Sequence, residues 1–367
     1  MNPRIAIMQL ADTLDVGGKE RVAVNLANHL PRDQYELYLC TTRHDGRLAK
    51  EVAPDVGRLR LKRQKRLDLN AIRRLAFFSK AHQIRILHAH ASAFFIALAA
   101  SFLYPIPVVI WHQHSGLHPL QARPIWLYRL AARRVGGIIA VNQPLAEWSK
   151  RELHIPEDRV WYIPNFVSFP EPDRSIPALP GLPGARLVCV ANQRPEKGLV
   201  ELVSAMKAVV ERFPQAHLLL VGADSDPAYA NLVRQEIDRL ELAGVVSLFG
   251  PRMDVPSILQ ACDIGVISSL SEGLPLALLE YGAAGLPVVC TQVGQCGEVL
   301  EWGEAGLLTP PGDPVALAQA LVSLLESQSL RETLGQRFKT RVCTSYSLDS
   351  IIGQVCQVYD QLLNGRY

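Results

Sequence analysis

Residues 264–289 read IGVISSLSEGLPLALLEYGAAGLPVV and spell a complete strand–helix–strand unit. IGVI is a short apolar run suited to a buried strand, residues 275–284 have helical character, and residues 288–290 form a second strand. Two such strands joined by a helix pair in parallel, which commits the segment to an α/β sheet. Pro275 stands where a helix begins, a place where its missing N–H is not needed. Glu272 then lies on the loop at the carboxyl end of a strand, and Glu280 about one and a half turns into the helix. The backbone around Gly273, Leu274, Pro275 and Leu276 brings N–H groups and the positive end of a helix dipole to that loop, which suits a phosphate. Gly273 lets the chain approach a ligand closely. Each carboxylate can accept two hydroxyl hydrogen bonds, as a vicinal diol offers them. Taken alone, a capping acid and an ordinary helix-face acid explain the pair slightly better, so the surrounding residues must decide.

Working outward, the same alternation fills the chain. Residues 5–10, 35–40, 86–88, 108–111 and 137–141 read as strands, separated by helical patterns at 20–30, 69–82, 93–103 and 124–134. Six prolines then fall from Pro164 to Pro183, alongside Gly181 and Gly184, a composition that reads as a linker. Alternation restarts with strands at 187–190, 217–221, 245–249, 264–267 and 288–290. The expected organisation is a first domain over residues 1–170, a proline-rich linker over 171–186, a second domain over 187–345, and a closing amphipathic helix over 346–367. Ligands of such sheets sit beyond the carboxyl ends of strands, so two facing halves would make a cleft.

Bulk properties set limits on function. At 367 residues, 49% apolar and 20% charged, the chain is an ordinary globular protein with room for two cores. Its net charge of +3 hides an asymmetry: residues 1–170 hold 24 Lys and Arg against 13 Asp and Glu, and the remainder 14 against 22. The seven cysteines form no C-x-x-C pair, which argues against a disulfide framework or a zinc ribbon and suits a reducing compartment. The first residues read as a core strand, not a secretory signal. Residues 91–111 are uncharged for 21 positions, long enough to span a bilayer, but Pro105 and Pro107 split them into a buried helix and a buried strand.

The block at 254–289 closely resembles the signature region of retaining glycosyltransferases with the GT-B fold, the glycogen-synthase-like family 4, whose hallmark Glu-x7-Glu is matched by Glu272 and Glu280. The resemblance continues through VCVANQRPEKGLVELV at 188–203, LLLVGA at 218–223, WYIPNFVS at 161–168 and VGGKERVAVNLANHL at 16–30, and so covers nearly the whole chain. It implies two Rossmann-like, doubly wound domains facing across a cleft. The second would hold a nucleotide sugar, the first an acceptor, and the final helix would cross back to the first.

Residue by residue, the resemblance gives Glu280 the ribose hydroxyls and Glu272 a hydroxyl of the donor sugar. The amides around Gly273, Leu274, Pro275 and Leu276 would meet the diphosphate or sugar. Lys197 would pair with the diphosphate, as would Arg194, although the commoner pattern places its arginine where this chain has Asn192. Gly17 and Gly18 would lie near the donor phosphates. Five histidines, His88, His90, His112, His114 and His118, cluster after two neighbouring strands. Repeated His-x-His could suit zinc, but no carboxylate or cysteine accompanies it, and no metal is expected. The resemblance instead implies one histidine contacting the donor sugar, His114 first and His112 as the alternative. Asp224-Ser225-Asp226 spells a metal–diphosphate signature of the other glycosyltransferase fold, but follows a strand where an ordinary loop belongs.

The reaction so implied moves a sugar from a nucleoside diphosphate, UDP before the others, to an acceptor hydroxyl with retention and without a cofactor. The acceptor would be a saccharide or a lipid-linked one in cell-envelope or surface polysaccharide assembly. Residues 58–74 hold eight basic residues and one acid, a cluster that an anionic membrane surface attracts, so the expected place is cytoplasmic, peripheral on the inner face of the membrane. Nucleic acid is not an expected partner, since the basic half carries no recognition motif. A sugar-nucleotide epimerase or a non-catalytic binding protein on the same fold would be the alternatives.

Overall fold

The computed structural model describes residues 3–65, 67–114, 124–167 and 178–365. The chain divides into two compact units: Met1–Asn165 together with Leu348–Tyr367, and Phe166–Ser347. Residues 171–177 of the expected linker and His118 lie outside the described residues.

The first unit is a seven-stranded sheet of order β3-β2-β1-β4-β5-β6-β7. Its strands are β1 (Ile5–Thr13), β2 (Tyr35–His44), β3 (Gly57–Arg60), β4 (Ile86–His90), β5 (Val108–Gln113), β6 (Gly137–Ala140) and β7 (Val160–Tyr162), every neighbouring pair parallel. Helices α1 (Gly18–His29), α2 (Leu69–Ala81), α3 (Phe94–Leu103), α4 (Ile125–Ala132) and α5 (Gln143–Leu153) cover it. Central strands buried on both faces need continuous apolar sequence, and β4 and β5 are buried at every position. Residues 91–111 do break at the prolines: α3 ends at Leu103, and β5 carries Trp111 buried against Phe94 and Tyr128. Among the described residues no helix is long and apolar enough to cross a membrane.

The second unit is a six-stranded parallel sheet of order β10-β9-β8-β11-β12-β13. It is built from β8 (Arg186–Val190), β9 (His217–Val221), β10 (Val246–Gly250), β11 (Ile264–Ile267), β12 (Val288–Thr291) and β13 (Leu307–Thr309). Its helices are α6 (Leu199–Arg212), α7 (Pro227–Arg239), α8 (Val255–Gln260), α9 (Leu276–Ala284), α10 (Cys296–Val299), α11 (Pro314–Glu326) and α12 (Gln328–Ser345). Gly265 in β11 makes room for the Tyr281 ring of α9, since a Cβ there would lie 2.5 Å from it. The Tyr281 hydroxyl accepts from the Val190 amide at 2.7 Å and so fastens α9 to β8.

The last helix, α13 (Leu348–Asn364), belongs to the first unit. Its Tyr359 is fully buried there, edge-on to Tyr35 of β2. Both sheets reverse direction of winding beside their first strand, β1 and β8, and the candidate site residues lie at strand ends near those points.

Candidate active site

In the second unit, three loops at the carboxyl ends of the adjacent strands β8, β11 and β12 interlock around Glu272. The loop after β8 turns through Gly198 at φ +59°, where a Cβ would sit 2.1 Å from the Ser268 carbonyl oxygen. No other residue type fits that turn and that approach. Ser268 donates its hydroxyl to the Lys197 carbonyl at 2.9 Å, and the Leu270 amide donates to the Glu196 carbonyl at 2.8 Å. This lacing brings the Lys197 ammonium onto the Glu272 carboxylate, which also accepts from the Ser269 hydroxyl at 2.7 Å. The loop after β12 closes from the other side. Gly294, at φ +52°, lies so near that a Cβ would be 2.3 Å from the Gly273 carbonyl, which accepts from the Gln295 amide at 3.0 Å.

Pro275 is the residue before α9 and Leu276 the first within it, and the helix start has no side-chain cap. Gly273, Leu274, Pro275 and Leu276 are all buried. Glu280 sits one turn beyond Leu276, part-buried on the helix side. Arg194 is exposed, and among the described residues it makes no ion pair. Asn192, which occupies the commoner arginine position, accepts the Ala223 amide at 3.0 Å and so ties the loop after β8 to that after β9. Asp224 and Asp226 have structural partners. Asp224 pairs with Arg234 and accepts from Gln193 at 2.5 Å, while Asp226 caps α7 by accepting from the Ala228 and Tyr229 amides.

In the first unit, β1 delivers Gly17 and Gly18 to the start of α1, with Gly17 as the extended residue before the helix. The carboxylate of Glu20 folds back on Gly17, so near that a Cβ there would lie 2.6 Å from it. Burial raises the Glu20 pKa, and Lys19 at 3.4 Å offsets only part of that. Asp12, at the end of β1, accepts from Thr42 and Ser92 at 2.5 Å each and from Arg63 at 3.1 Å. Burial pushes its pKa up, but the two hydroxyls and the guanidinium outweigh that and hold it below the usual range.

Beside Asp12 lies a cluster of four histidines from the ends of β4 and β5. His88 donates or accepts ring to ring with His112 at 3.0 Å, and His90 with His114 at 2.8 Å. His88 and His90 stack at 4.8 Å between centroids, His112 and His114 at 4.1 Å. Gln9 of β1 and Tyr359 of α13 complete the cluster. Burial disfavours the imidazolium and lowers all four pKa values, to about 3 for His88 and His114. His88, His90 and His112 each offer a nitrogen, all within 4.8 Å of one another. A cation there would have to displace the ring-to-ring bonds.

The structure thus brings Lys197, Glu272 and Gly273 together and places Glu280 on the adjoining helix, while His114 joins three other histidines in the first unit. Sequence reading missed Gln9, Asp12 and Tyr359. Gln9 carried a signal, as the one polar residue inside the apolar run of β1. Tyr359 carried none, since its partners are hundreds of residues away.

Comparison with known proteins agrees with this fold. Residues 184–327 match the family model described as glycosyl transferases group 1, and residues 16–169 the model described as glycosyltransferase family 4. The chain is 29% identical over 177 residues to N-acetyl-alpha-D-glucosaminyl L-malate synthase of Bacillus anthracis, covering 48% of this chain and 45% of that one. It therefore spans about half the length of that relative. It is 24% identical to the UDP-Gal:alpha-D-GlcNAc-diphosphoundecaprenol alpha-1,3-galactosyltransferase of Escherichia coli over 98% of both chains. The crystal structure of Anabaena HepE in complex with UDP and glucose superposes with a TM-score of 0.84 at 20% identity, over 98% of this chain and 100% of that one.

Proposed function

Because the chain belongs to the family 4-like glycosyltransferases of the GT-B fold, we propose that it transfers a sugar, with retention, from a nucleoside-diphosphate sugar to an acceptor hydroxyl. The observation that carries this reading is the Lys197–Glu272 pair, held by three interlocked loops at strand ends and followed by the uncapped start of α9. Lys197 and the helix dipole offset the charge of a leaving diphosphate, a task that needs no metal ion. Glu272 holds a hydroxyl of the donor sugar, and Glu280 the ribose. In the first unit, Gly17, Gly18 and a histidine are the residues we propose for substrate contact. With both glutamates engaged on hydroxyls, neither is free to act as the nucleophile of a double displacement. Attack on the same face, with a donor phosphate oxygen taking the acceptor's proton, is the mechanism that fits.

UDP is the base we favour. The Escherichia coli relative is named for a UDP-linked donor, and HepE was solved with UDP and glucose. The name of that relative also carries a diphosphoundecaprenol acceptor, which supports a lipid-linked one here. On the protein's side, the basic segment at 58–74 spends much of its charge internally. Arg58 and Arg60 bind Asp45, Arg63 binds Asp12, and Arg74 donates to the Leu61 and Arg60 carbonyls. The neighbouring surface is the better candidate for an anionic bilayer. From Leu69 to Ala146 the chain has eight Lys and Arg and no Asp or Glu. Helices α2, α3 and α4 expose Phe77, Phe102, Leu103, Trp126 and Leu130 there, and Arg134 lies over the Phe102 ring. Apolar side chains amid a surplus of basic charge are what an anionic membrane surface attracts. We place the enzyme at the cytoplasmic face of such a membrane, in polysaccharide or glycolipid assembly.

The test is thermal unfolding of the wild type and of Glu280→Ala against UDP-, GDP-, ADP- and TDP-sugars without metal. A donor at one hundred times its dissociation constant adds about 2.7 kcal/mol. Stabilisation by one base, lost in the variant, is the expected result. A folded protein that no donor stabilises would refute the two-glutamate site.

A further inference from the structure

The four histidines of the first unit, together with Gln9 and Tyr359, form one continuous hydrogen-bonded chain whose direction can be worked out atom by atom. The Gln9 carbonyl oxygen carries no hydrogen, so the proton in its 2.9 Å bond to His90 belongs to His90 Nε2. A neutral imidazole has one N–H, so His90 Nδ1 accepts, and His114 donates to it from Nε2 at 2.8 Å. On the other side, the Gln9 amide nitrogen donates to the Tyr359 oxygen at 3.1 Å. The single tyrosine proton then goes to His88 Nδ1 at 2.6 Å. His88 must therefore carry its own proton on Nε2 and donate it to His112 Nδ1 at 3.0 Å. His112 is left with Nε2–H.

That last atom is buried and, among the described residues, has no hydrogen-bond partner. A buried N–H without an acceptor costs free energy that a fold avoids unless something arrives to accept it. The rings must be neutral for the argument to hold, and burial keeps them so at neutral pH. One residue sets the sense of the whole chain. Turning the Gln9 amide over would reverse all five bonds and make His112 Nε2 an acceptor.

We propose that Gln9 and Tyr359 are positioning residues: they hold the four histidines in one tautomeric sense, so that His112 presents Nε2–H as a donor to a substrate oxygen. The inference rests on the glycosyltransferase reading for the identity of that substrate, but the chain itself does not. No proton is transferred through it, because the Gln9 amide interrupts any relay. Its effect is orientation, as a neutral donor held ready needs no reorganisation when the ligand arrives. Tyr359 also gives the last helix a task besides packing, since it lies 271 residues beyond the histidine it steadies.

The experiment is long-range 1H–15N spectroscopy of the full chain labelled in histidine, without substrate, at pH 7. Resonances are assigned by single His→Gln variants. The expected wild-type spectrum shows four neutral rings, with His112 protonated on Nε2 alone. Tyr359→Phe keeps the ring but removes the donor to His88, so His112 should become a mixture of tautomers. Gln9→Met breaks the chain at its other link and should give a mixture as well, which covers the case of one variant failing to fold. With a working donor and acceptor, Tyr359→Phe should lower kcat about tenfold, the rate equivalent of one lost hydrogen bond, while KM for the donor moves less than about twofold. Protonation of His112 on Nδ1 in the wild type would overturn the proposal. So would tautomers indifferent to both variants, or stoichiometric metal on these rings in the purified protein. Failure of every nucleotide sugar to react would count against the proposed function and leave the spectrum standing.

Discussion

Four buried neutral histidines make the first unit sensitive to acid, and the size of the effect follows from their pKa values. Burial holds the folded-state pKa well below 6.5 in each, at about 3 for His88 and His114. An unfolded chain restores them to about 6.5. A histidine whose folded pKa is depressed contributes stability that is fully present above the unfolded value. That stability is lost as pH falls through 6.5 toward the folded value, because only the unfolded state takes up the proton. Between pH 7 and pH 5 the loss is about 2 kcal/mol per ring, and it hardly depends on the folded value once that lies below about 4. Four rings give about 8 kcal/mol, a large part of the roughly 5–15 kcal/mol that a domain has. Glu20 works the other way, since its raised pKa lets the folded state bind a proton more readily than the unfolded chain. The assay is denaturant unfolding from pH 7 to pH 5, with calorimetry in buffers of different ionisation enthalpy to count protons. At pH 5.5 unfolding of the first unit should take up about 3.6 protons through these rings. Uptake of one proton or fewer, or stability flat across the range, would mean that the rings are already charged or solvated in the folded protein. Fixed neutral tautomers in the cluster would be excluded by the same result.

Two further outcomes are expected. Asp226→Ala removes the cap of α7 and should cost the second unit about 1 kcal/mol, with glycosyl transfer unchanged in chelator; a large loss of turnover that metal restores would mean that the Asp224–Asp226 pair is a metal site after all. Vesicles with a third of their lipid anionic should bind the protein and neutral ones should not, and Trp126→Ser with Leu130→Ser should weaken that binding on the order of tenfold; equal binding to both kinds of vesicle, or to neither, would remove the bilayer from the exposed face of α3 and α4.

What the sequence revealed and what it hid differ in range. The parallel sheets were legible because each strand–helix unit is local: the run 264–289 states its own strand, turn and helix through apolar spacing and a proline. The short edge strands β3, β7 and β13 were not, because three or four residues carry no period. Nor was α12, whose few buried positions along 18 residues leave a weak apolar stripe. In the second unit, Lys197 and Glu272 could be picked out one by one through the family resemblance, yet their contact could not. It depends on Gly198 and Gly294 fitting against carbonyls of another loop, a fit that exists only once three strands are side by side.

The histidine cluster takes that lesson further. Its members were visible as His-x-His at two strand ends, and the pattern alone left a metal, a sugar contact and a core role all open. The pleat explains why the ambiguity could not be resolved locally. Residues two apart share a face of the sheet, so parallel β4 and β5 must stack four rings together, whatever their use. What distinguishes the uses is the occupant of the neighbouring positions. Gln9 enters from β1, which pairs directly with β4 through the register Gln9↔His88. Tyr359 enters from the far end of the chain. An amide supplies one donor and one acceptor in a fixed order, and a tyrosine passes on a single proton, so the two together impose a direction that four imidazoles could not choose among themselves. A site whose chemistry is set by such a direction is encoded in the fold's long-range pairings, and a change at position 359 should be felt at position 112 with no change in any histidine.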